Sequence, residues 1–459
     1  MNERMNNELS ILAEKKNVFD TGNNIPVLVD VTKHPVTEIL DYYKYPVNTW
    51  PVLISREMAT QLNKLATRIP RLLQAIPSLY FNNDIKKIAG FYFDGDETQA
   101  QLAMMCHEKN IRAGCRIDLT YTGEFFKILE VNMGTSIGGW QIQNFEPVIR
   151  QYHPELSGSD TAHHYRAIDT QRVYAAFLVN QALPFLEKGT NTVNIFINLV
   201  GSNNDPGFQQ KGAAFFDQLL KEELAKRGLE GGVFTGDISK ITVQNGNLVL
   251  DNRVIHGLIV FGMISAAVTP NIFRAFIMDK VYFPDHIGLP LLGDKRNLGI
   301  LVELALAGKF SPADNQLVLD HVPWTTFFEP KMVHYNGREY DIVELMEKQK
   351  DNFVIKQARG FQGMDVFVGR NVSTEEWQKV VQQALKEKRF IAQEFCNALN
   401  FQAPNRNNTW VPHKLIWGAF GFGDHYGGVE VRMSEASNGA GVINMATGAV
   451  ESLVYEIVE

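Results

Sequence analysis

The clearest alternation of apolar and polar positions lies at residues 115–132. Two alternating runs, 115–120 and 125–132, stand on either side of a short turn that contains a glycine. Alternation with a period of two is typical of half-buried strands, so this pattern predicts an antiparallel hairpin. Ile117 and Leu119 fall on one face of the hairpin, and Arg116, Asp118 and Thr120 fall on the other.

Helical spacing appears on both sides of this hairpin. Apolar residues recur every three or four positions over 55–76, where Pro70 predicts a kink or a break, and again over 96–110. Another helix is predicted near 162–187. A buried strand at 193–200, a helix at 212–228, a hairpin at 241–250 that turns on Asn245 and Gly246, and a strand at 258–261 then predict an α/β module at 151–290.

The last third of the chain alternates strands and helices. A helix follows Lys295, and a strand that ends in Lys356 leads through a loop containing Gly360 and Gly363 to a second strand. A helix at 375–388, a strand at 389–396, and a hairpin formed by 411–421 and 428–433 complete the pattern. The two glycines, with no β-branched residue between them, predict that 357–366 is a mobile lid.

Composition narrows the class of protein. The 459 residues are 45% hydrophobic, which predicts about two or three domains with a large core. A net charge of −7 offers no basic field for nucleic acid. The 3 cysteines show no paired spacing, the first residues are polar, and no apolar run is long enough to span a membrane. We therefore expect a cytoplasmic protein with no membrane or nucleic-acid partner.

The polar face of the 115–132 hairpin carries candidate chemistry. Asp118, Glu130 and Asn132 can converge as three hard oxygen ligands with Arg116 beside them. Magnesium prefers such oxygens and leaves positions for phosphate, whose charge an arginine neutralises. This pattern predicts a magnesium and phosphate site. The alternative is an ordinary hairpin with one solvated face.

Further candidates follow in the last third. Lys356 can reach an inner phosphate of a nucleotide while the loop at Gly360 and Gly363 covers the outer ones. The strand at 389–396 turns polar at Gln393 and Glu394, which suits a strand that contacts adenine and ribose. Each of these has a structural alternative, namely a surface lysine on an exposed hairpin and a strand with a polar end. Arg432 can bind phosphate or a substrate carboxylate, or it can pair with a surface acid. No GxGxxG or GxxxxGK[ST] phosphate loop occurs in the chain.

The ordered set of motifs resembles the circularly permuted ATP-grasp proteins of the glutathionylspermidine-synthetase type. In the resemblance, Arg116, Asp118, Glu130 and Asn132 match the metal and phosphate motif. Lys295 looks like the first nucleotide lysine, Lys356 with Gly360 and Gly363 like the second lysine and its loop, and residues 392–394 like the hinge strand. The acidic ligands precede both lysines, which is the order that marks the permutation. The resemblance covers about 85–150 and 285–459.

The resemblance implies an α+β fold in which two lobes grip ATP beside a middle α/β module. The expected regions are 1–150, with the metal-binding part of the ATP-grasp fold; 151–290, on the substrate side; and 291–459, with the nucleotide-binding lobe and the final strands. Residues 133–136 depart from the Asp-Thr-Pro run of the glutathionylspermidine enzymes, which leaves the substrate open.

The activity implied is that of an ATP-dependent ligase. A small-molecule carboxylate would be activated as an acylphosphate and then joined to an amine, with release of ADP and phosphate. ATP and Mg²⁺, as two ions, would be the cofactors. Two other classes stay open: a phosphotransferase, and a nucleotide-binding scaffold without turnover. The identities of the acid and the amine and the oligomeric state also stay open.

Overall fold

The structure is a computed structural model that describes residues 24–30, 45–157, 164–199, 206–261, 268–360, 365–387, 389–438, 442–443 and 447–458. Its helices are α1 Arg56–Gln74, α2 Ile76–Leu79, α3 Ile85–Tyr92, α4 Glu97–His107, α5 Glu146–Tyr152, α6 Thr170–Ala182, α7 Pro206–Ala225, α8 Pro270–Ile277, α9 Pro290–Gly293, α10 Asn297–Leu306, α11 Pro312–His321, α12 Ile342–Lys348 and α13 Thr374–Glu387.

The strands divide among several separate sheets, which gives a mixed fold of helices and sheets. They are β1 Val52–Ile54, β2 Gly114–Tyr121, β3 Phe126–Met133, β4 His164–Arg166, β5 Thr192–Asn198, β6 Glu230–Phe234, β7 Thr242–Gln244, β8 Asn247–Leu250, β9 Arg253–Val254, β10 Gly257–Val260, β11 Thr325–Phe327, β12 Met332–Tyr335, β13 Arg338–Asp341, β14 Phe353–Gln357, β15 Val366–Val368, β16 Phe390–Glu394, β17 Phe401–Pro404, β18 Trp410–Phe422, β19 His425–Glu435, β20 Val450–Ser452 and β21 Val454–Val458.

The largest sheet joins the first and last parts of the chain. Its strand order is β20, β19, β18, β2 and β3, with β17 also paired to β18, and every neighbouring pair is antiparallel. The predicted hairpins at 115–132 and 411–433 are confirmed as β2 with β3 and β18 with β19. A second, small sheet also joins distant segments, since β1 pairs with β21 and β21 pairs with β4.

Helix α1 packs on this large sheet through one apolar face. Ser55 caps its first turn by accepting a hydrogen bond from the Met58 amide. The helix runs through Pro70 without the predicted break. Because proline lacks an N–H, the Ala66 carbonyl loses its partner in the helix, and it faces the Cys115 thiol of β2 at 3.7 Å instead. This carbonyl thus lies against the strand that carries Arg116 and Asp118.

The middle of the chain has its own parallel sheet, in the order β10, β5 and β6. This arrangement confirms the predicted α/β pattern there. The predicted helix near 162–187 is wrong at its start, because β4 occupies 164–166 and α6 begins only at Thr170, after its cap Asp169. An aspartate at this position favours a helix start, since its side chain accepts a backbone N–H of the first turn.

A four-stranded sheet has the order β11, β16, β14 and β15, and all its pairs are antiparallel. It carries Lys356 on β14 and Gln393 on β16, and α13 packs its apolar side chains against it in a separate core. Regions 1–150 and 291–459 both contribute strands to the large sheet, whereas the parallel sheet lies within 151–290. The division into three regions stays a prediction.

Two further expectations concern the environment of the chain. All 3 cysteines are free, and Cys106 and Cys115 are buried. Among the described residues, no helix combines the length and the apolar character needed to cross a bilayer.

Candidate active site

The β2–β3 hairpin brings its four predicted polar residues onto one face. Asp118 lies directly opposite Glu130, and Arg116 lies directly opposite Asn132. Residues that face each other across an antiparallel pair point to the same side of the sheet, so these side chains are neighbours. The convergence expected from the alternation is therefore present in the structure.

A bulge in this hairpin creates an extra acceptor. The register passes from Asp118 opposite Glu130 to Leu119 opposite Ile128, which leaves Leu129 without an opposite residue. A bulge of this kind disrupts the ladder of backbone hydrogen bonds locally. The Leu129 carbonyl accepts a hydrogen bond of 3.2 Å from the Lys356 ammonium group of β14. The bulge thus gives the second sheet a point of contact with the acidic hairpin.

The second hairpin adds an acid that the sequence did not single out. Gly418 of β18 lies between Asp118 of β2 and Glu430 of β19 in the sheet register. A Cβ atom at Gly418 would stand 2.7 Å from Glu430 Oε1 and 2.8 Å from Arg116 Cδ. Glycine is therefore required at position 418, because any side chain would occupy the space that these two charged groups fill.

Two arginines and two acids form a compact cluster, which we call the arginine–acid quartet (Arg116, Asp118, Glu430 and Arg432). Arg116 Nε lies 2.7 Å from Asp118 Oδ1, and Arg432 Nη2 lies 3.0 Å from Asp118 Oδ2. Glu430 Oε1 lies 3.6 Å from Arg116 Nη1 and 3.5 Å from Arg432 Nε. Arg432 therefore pairs with buried acids of the site, which corrects the alternative of a surface ion pair.

Burial and the two arginines act in opposite directions on the pKa values of the two acids, and the balance differs between them. Burial raises the pKa of Asp118, but Arg116 and Arg432 outweigh this effect and hold that pKa at about 2. Burial also raises the pKa of Glu430, and the two arginines only partly offset it. Asp118 is thus a carboxylate at any physiological pH, and both arginines remain charged beside it.

The glycine-containing loop at 133–140 covers the quartet. The Gly138 carbonyl accepts a hydrogen bond of 2.7 Å from Arg116 Nη1. Gly139 has a φ of +98°, and a Cβ atom there would stand 2.1 Å from Glu430 Cδ. The backbone of this loop therefore lies against Arg116 and Glu430.

Asp285 fixes the beginning of this loop. It accepts hydrogen bonds from the Thr135 amide at 2.9 Å, from the Thr135 hydroxyl at 2.5 Å and from the Val260 amide at 3.0 Å. Burial raises the pKa of Asp285 to about 6, although these hydrogen bonds oppose the shift. Since Val260 ends β10, the loop over the quartet is attached to the carboxyl end of the parallel sheet.

The two predicted nucleotide lysines approach the acidic hairpin from the other side. Lys295 Nζ lies 3.2 Å from Glu130 Oε1 and donates a 2.7 Å hydrogen bond to the Gly360 carbonyl. Lys356 Nζ donates to Gln393 Oε1 at 2.6 Å as well as to the Leu129 carbonyl. Both lysines are buried, with 6% and 7% of their surface exposed. Both lysines therefore contact the acidic hairpin, and we expect the nucleotide cleft at this junction.

Burial also changes the acidity of Lys356. It lowers the pKa of this ammonium group to about 8, and Lys295 lowers it further while Glu130 raises it. A cationic side chain that has lost its water in this way gains more from an anionic ligand than an exposed lysine does.

The predicted hinge strand is present as β16, but its two polar side chains are used within the protein. Gln393 is 1% exposed, accepts from Lys356, and donates to the Thr325 hydroxyl at 3.1 Å. Glu394 accepts a hydrogen bond of 2.9 Å from the Tyr335 hydroxyl. The structure thus shows Gln393 as the residue that orients Lys356, and the contact of Gln393 and Glu394 with a nucleotide stays a prediction.

The glycine loop after Lys356 is described only in part. Gly360 is placed against Lys295, whereas Gly363 and its neighbours at 361–364 lie outside the described residues. The predicted lid at 357–366 therefore also lies partly outside them.

The oxygen atoms on the hairpin suit a hard divalent cation. The Glu130 side chain is 31% exposed, and Asn132 offers an amide oxygen on the same face. Carboxylate and amide oxygens are the ligands that Mg²⁺ takes. In the part of the chain that the structure describes, no three histidine, cysteine or acidic side chains group as a metal site. The predicted ligands are two acids, Asp118 and Glu130, and the amide of Asn132, so they do not form a group of this kind.

Glu430 is the site residue that the sequence analysis missed. Its signal is the Glu430-x-Arg432 spacing within an otherwise apolar strand, which repeats the Arg116-x-Asp118 spacing of β2. Two charged residues on the same face of a buried strand must find partners, because an unpaired buried charge is costly. That spacing predicts a second charged face, although not which residues complete it.

No protein-family model and no curated protein matches this chain. One solved structure similar to it is that of a "Putative gamma-glutamylcysteine synthetase" from Methylobacillus flagellatus KT. The two chains are 12% identical, the similarity covers 86% of this chain and 88% of the other, and the TM-score is 0.40.

Proposed function

We propose that this chain is a circularly permuted ATP-grasp enzyme that joins a carboxylate to an amine at the expense of ATP. The observation that carries the proposal is the contact of two buried lysines from one wall of the cleft with the acidic hairpin on the other. Lys295 reaches Glu130, and Lys356 reaches the neighbouring Leu129 carbonyl. Facing cations and hard oxygen donors suit a nucleotide phosphate chain that carries a divalent ion between them.

The reaction would proceed in two displacements. A carboxylate oxygen of the substrate attacks the γ-phosphorus of ATP, the bond to ADP breaks, and an acylphosphate forms. The amine nitrogen then attacks the acyl carbon, phosphate leaves, and the nitrogen loses a proton to give the amide. Phosphoryl transfer requires mainly positioning and charge neutralisation from a protein, which this constellation of charges can supply.

Each group on the two walls has a role in this proposal. Lys295 and Lys356 would bind the nucleotide phosphates, and Gln393 would hold Lys356 in position. Arg116 and Arg432 would bind the phosphoryl group or the substrate carboxylate. Mg²⁺ held by Asp118, Glu130 and Asn132 would neutralise the charge of the phosphates.

The ion pairs also support an exchange of partners. Glu130 is paired with Lys295, and Asp118 is paired with Arg116 and Arg432. Such pairs keep buried charges compensated in the free protein. Binding of a nucleotide with its metal would give the cations phosphate partners and the acids a metal, so no charge would be left alone.

Trapping with hydroxylamine tests the proposal. The protein is incubated with ATP, Mg²⁺ and a panel of carboxylic acids, and hydroxamate, ADP and phosphate are measured. A ligase should form hydroxamate in proportion to ADP with one class of acid, because hydroxylamine attacks the acylphosphate. A stable phosphorylated product without hydroxamate would instead identify a phosphotransferase, and the absence of both products would identify a scaffold.

The pKa of Lys356 predicts a pH dependence. Since this pKa is about 8, the ammonium group loses its charge as the pH rises through that value. The kcat/KM for ATP, which reports groups of the free enzyme, should therefore fall above about pH 8. Lys356→Ala should show a lower kcat/KM without this decline. A decline of equal steepness in the variant would assign it to another group.

A further inference from the structure

The two acids of the arginine–acid quartet differ in exposure. Asp118 retains 14% of its side-chain surface, whereas Glu430 retains 1%. Both contact the same two guanidinium groups. Asp118 lies on β2, in the hairpin of the proposed metal ligands, with Glu130 directly opposite it. Glu430 lies on β19, which is separated from β2 by β18 and its Gly418. Only Asp118 is therefore placed to change partners.

Glu430 is enclosed by groups that leave it no alternative partner. Gly418 and Gly139 border its carboxylate so closely that a Cβ atom at either position would overlap it. Neither carboxylate oxygen of Glu430 has a hydrogen-bond partner among the described residues. Its close contacts of opposite charge are Arg116 and Arg432. Glu430 therefore acts on the site through these two arginines.

Counting charges shows why a second acid is needed. Two guanidinium groups face two carboxylates in the quartet, so its net charge is zero. If Asp118 turned to a metal ion in the absence of Glu430, two largely buried guanidinium groups would lose all their negative partners. Leaving a buried charge uncompensated is strongly destabilising. With Glu430 in place, one negative charge remains beside both arginines.

We infer that Glu430 is a positioning residue that retains Arg116 and Arg432 in the site when Asp118 exchanges these arginines for a divalent cation. The inference rests on the proposed function for the metal and the phosphoryl chemistry. It assigns the two acids separate roles: Asp118 is the exchangeable partner and Glu430 the permanent one. With one positive charge then in excess, the arginine pair would be ready to bind an anionic group beside the metal.

Binding of Mg²⁺ alone, measured by calorimetry without nucleotide, gives the first test. Glu430→Gln keeps the size of the side chain but removes its charge, so the arginines must retain Asp118. We expect Mg²⁺ affinity to fall on the order of tenfold or more. In turnover assays, we expect the fold increase in the apparent KM for Mg²⁺ to exceed the fold decrease in kcat at saturating Mg²⁺.

Glu451→Gln is the matched control for this variant. Glu451 is 3% exposed, lies opposite Arg432 on the next strand, and has an Oε2 atom without a hydrogen-bond partner among the described residues. Burial raises its pKa to about 8, and no described arginine offsets this shift, in contrast to Glu430. The control should leave Mg²⁺ affinity unchanged. Equal affinity in Glu430→Gln and wild type, or an equal loss in both variants, would overturn the inference.

A double-mutant cycle on the apo protein tests whether the two acids share the arginines. Asp118→Asn and Glu430→Gln each leave one carboxylate on the pair, whereas the double variant leaves none. We therefore expect the melting temperature of the double variant to fall by more than the sum of the single losses. Additive losses would show that Glu430 has an independent structural role.

The outcomes separate this inference from the proposed function. Neither Mg²⁺ binding nor unfolding uses the substrates. Absence of hydroxamate with every acid, together with the expected affinity loss and the non-additive cycle, would remove the ligase and retain the role of Glu430. Hydroxamate formation with an unaltered Mg²⁺ affinity in Glu430→Gln would retain the ligase and remove that role.

Discussion

Asp118→Asn and Glu130→Gln should each lower the rate of ADP formation on the order of 10²-fold or more. Each change keeps the side-chain shape but removes a negative oxygen that faces the proposed metal. The measurement is ADP formation at saturating Mg²⁺ and ATP with the acid found by hydroxamate trapping. Turnover at the wild-type rate in both variants would contradict the metal assignment.

Glu124→Gln is the matched control for these two variants. Glu124 lies at the exposed turn of the same hairpin, outside the cleft, so this variant should keep wild-type turnover.

Crowding of negative charge predicts that loss of Asp118 or Glu130 relieves repulsion in the apo protein. The structure corrects that expectation, because the two acids are paired with Arg116, Arg432 and Lys295. A modest fall in melting temperature is therefore expected.

Lys356→Ala should raise the apparent KM for ATP by roughly 10- to 100-fold, since a hydrogen bond to a charged group contributes about 1.5–3 kcal/mol. The KM for the carboxylate should change little, because the lysine lies against Leu129 and Gln393 on the proposed nucleotide side of the cleft. Initial rates measured over a matrix of ATP and carboxylate concentrations separate the two constants.

Lys350→Ala provides the comparison for this variant. Lys350 lies just before β14 and binds the Gly369 and Val372 carbonyls, so its loss should lower the melting temperature but not alter the KM for ATP. A normal ATP dependence in Lys356→Ala, or the same KM increase in Lys350→Ala, would show that Lys356 is not a nucleotide ligand.

Local sequence patterns predicted most of the strands and helices around the site. The hairpins at β2–β3 and β18–β19 and the β14–β15 pair follow from short-range alternation and glycine turns, which act over a few residues. Two helix bounds differ from the prediction. Pro70 predicts a kink or a break, but α1 continues to Gln74, and the Ala66 carbonyl accepts a hydrogen bond from the Cys115 thiol of a distant strand. Asp169 begins α6 where the apolar spacing alone predicts an earlier start.

The sequence alone determined which residue types alternate on each strand, and thus that Asp118, Glu130 and Asn132 share a face with Arg116. This follows from the period of two in a pleated strand, which holds wherever the strand lies. The pairing of hairpins was decided only by the tertiary structure. Residue 418 lies between Asp118 and Glu430 because β18 pairs with β2 across about 300 residues of sequence. Sheet register over such a distance depends on the packing of the whole core, and no local pattern encodes it.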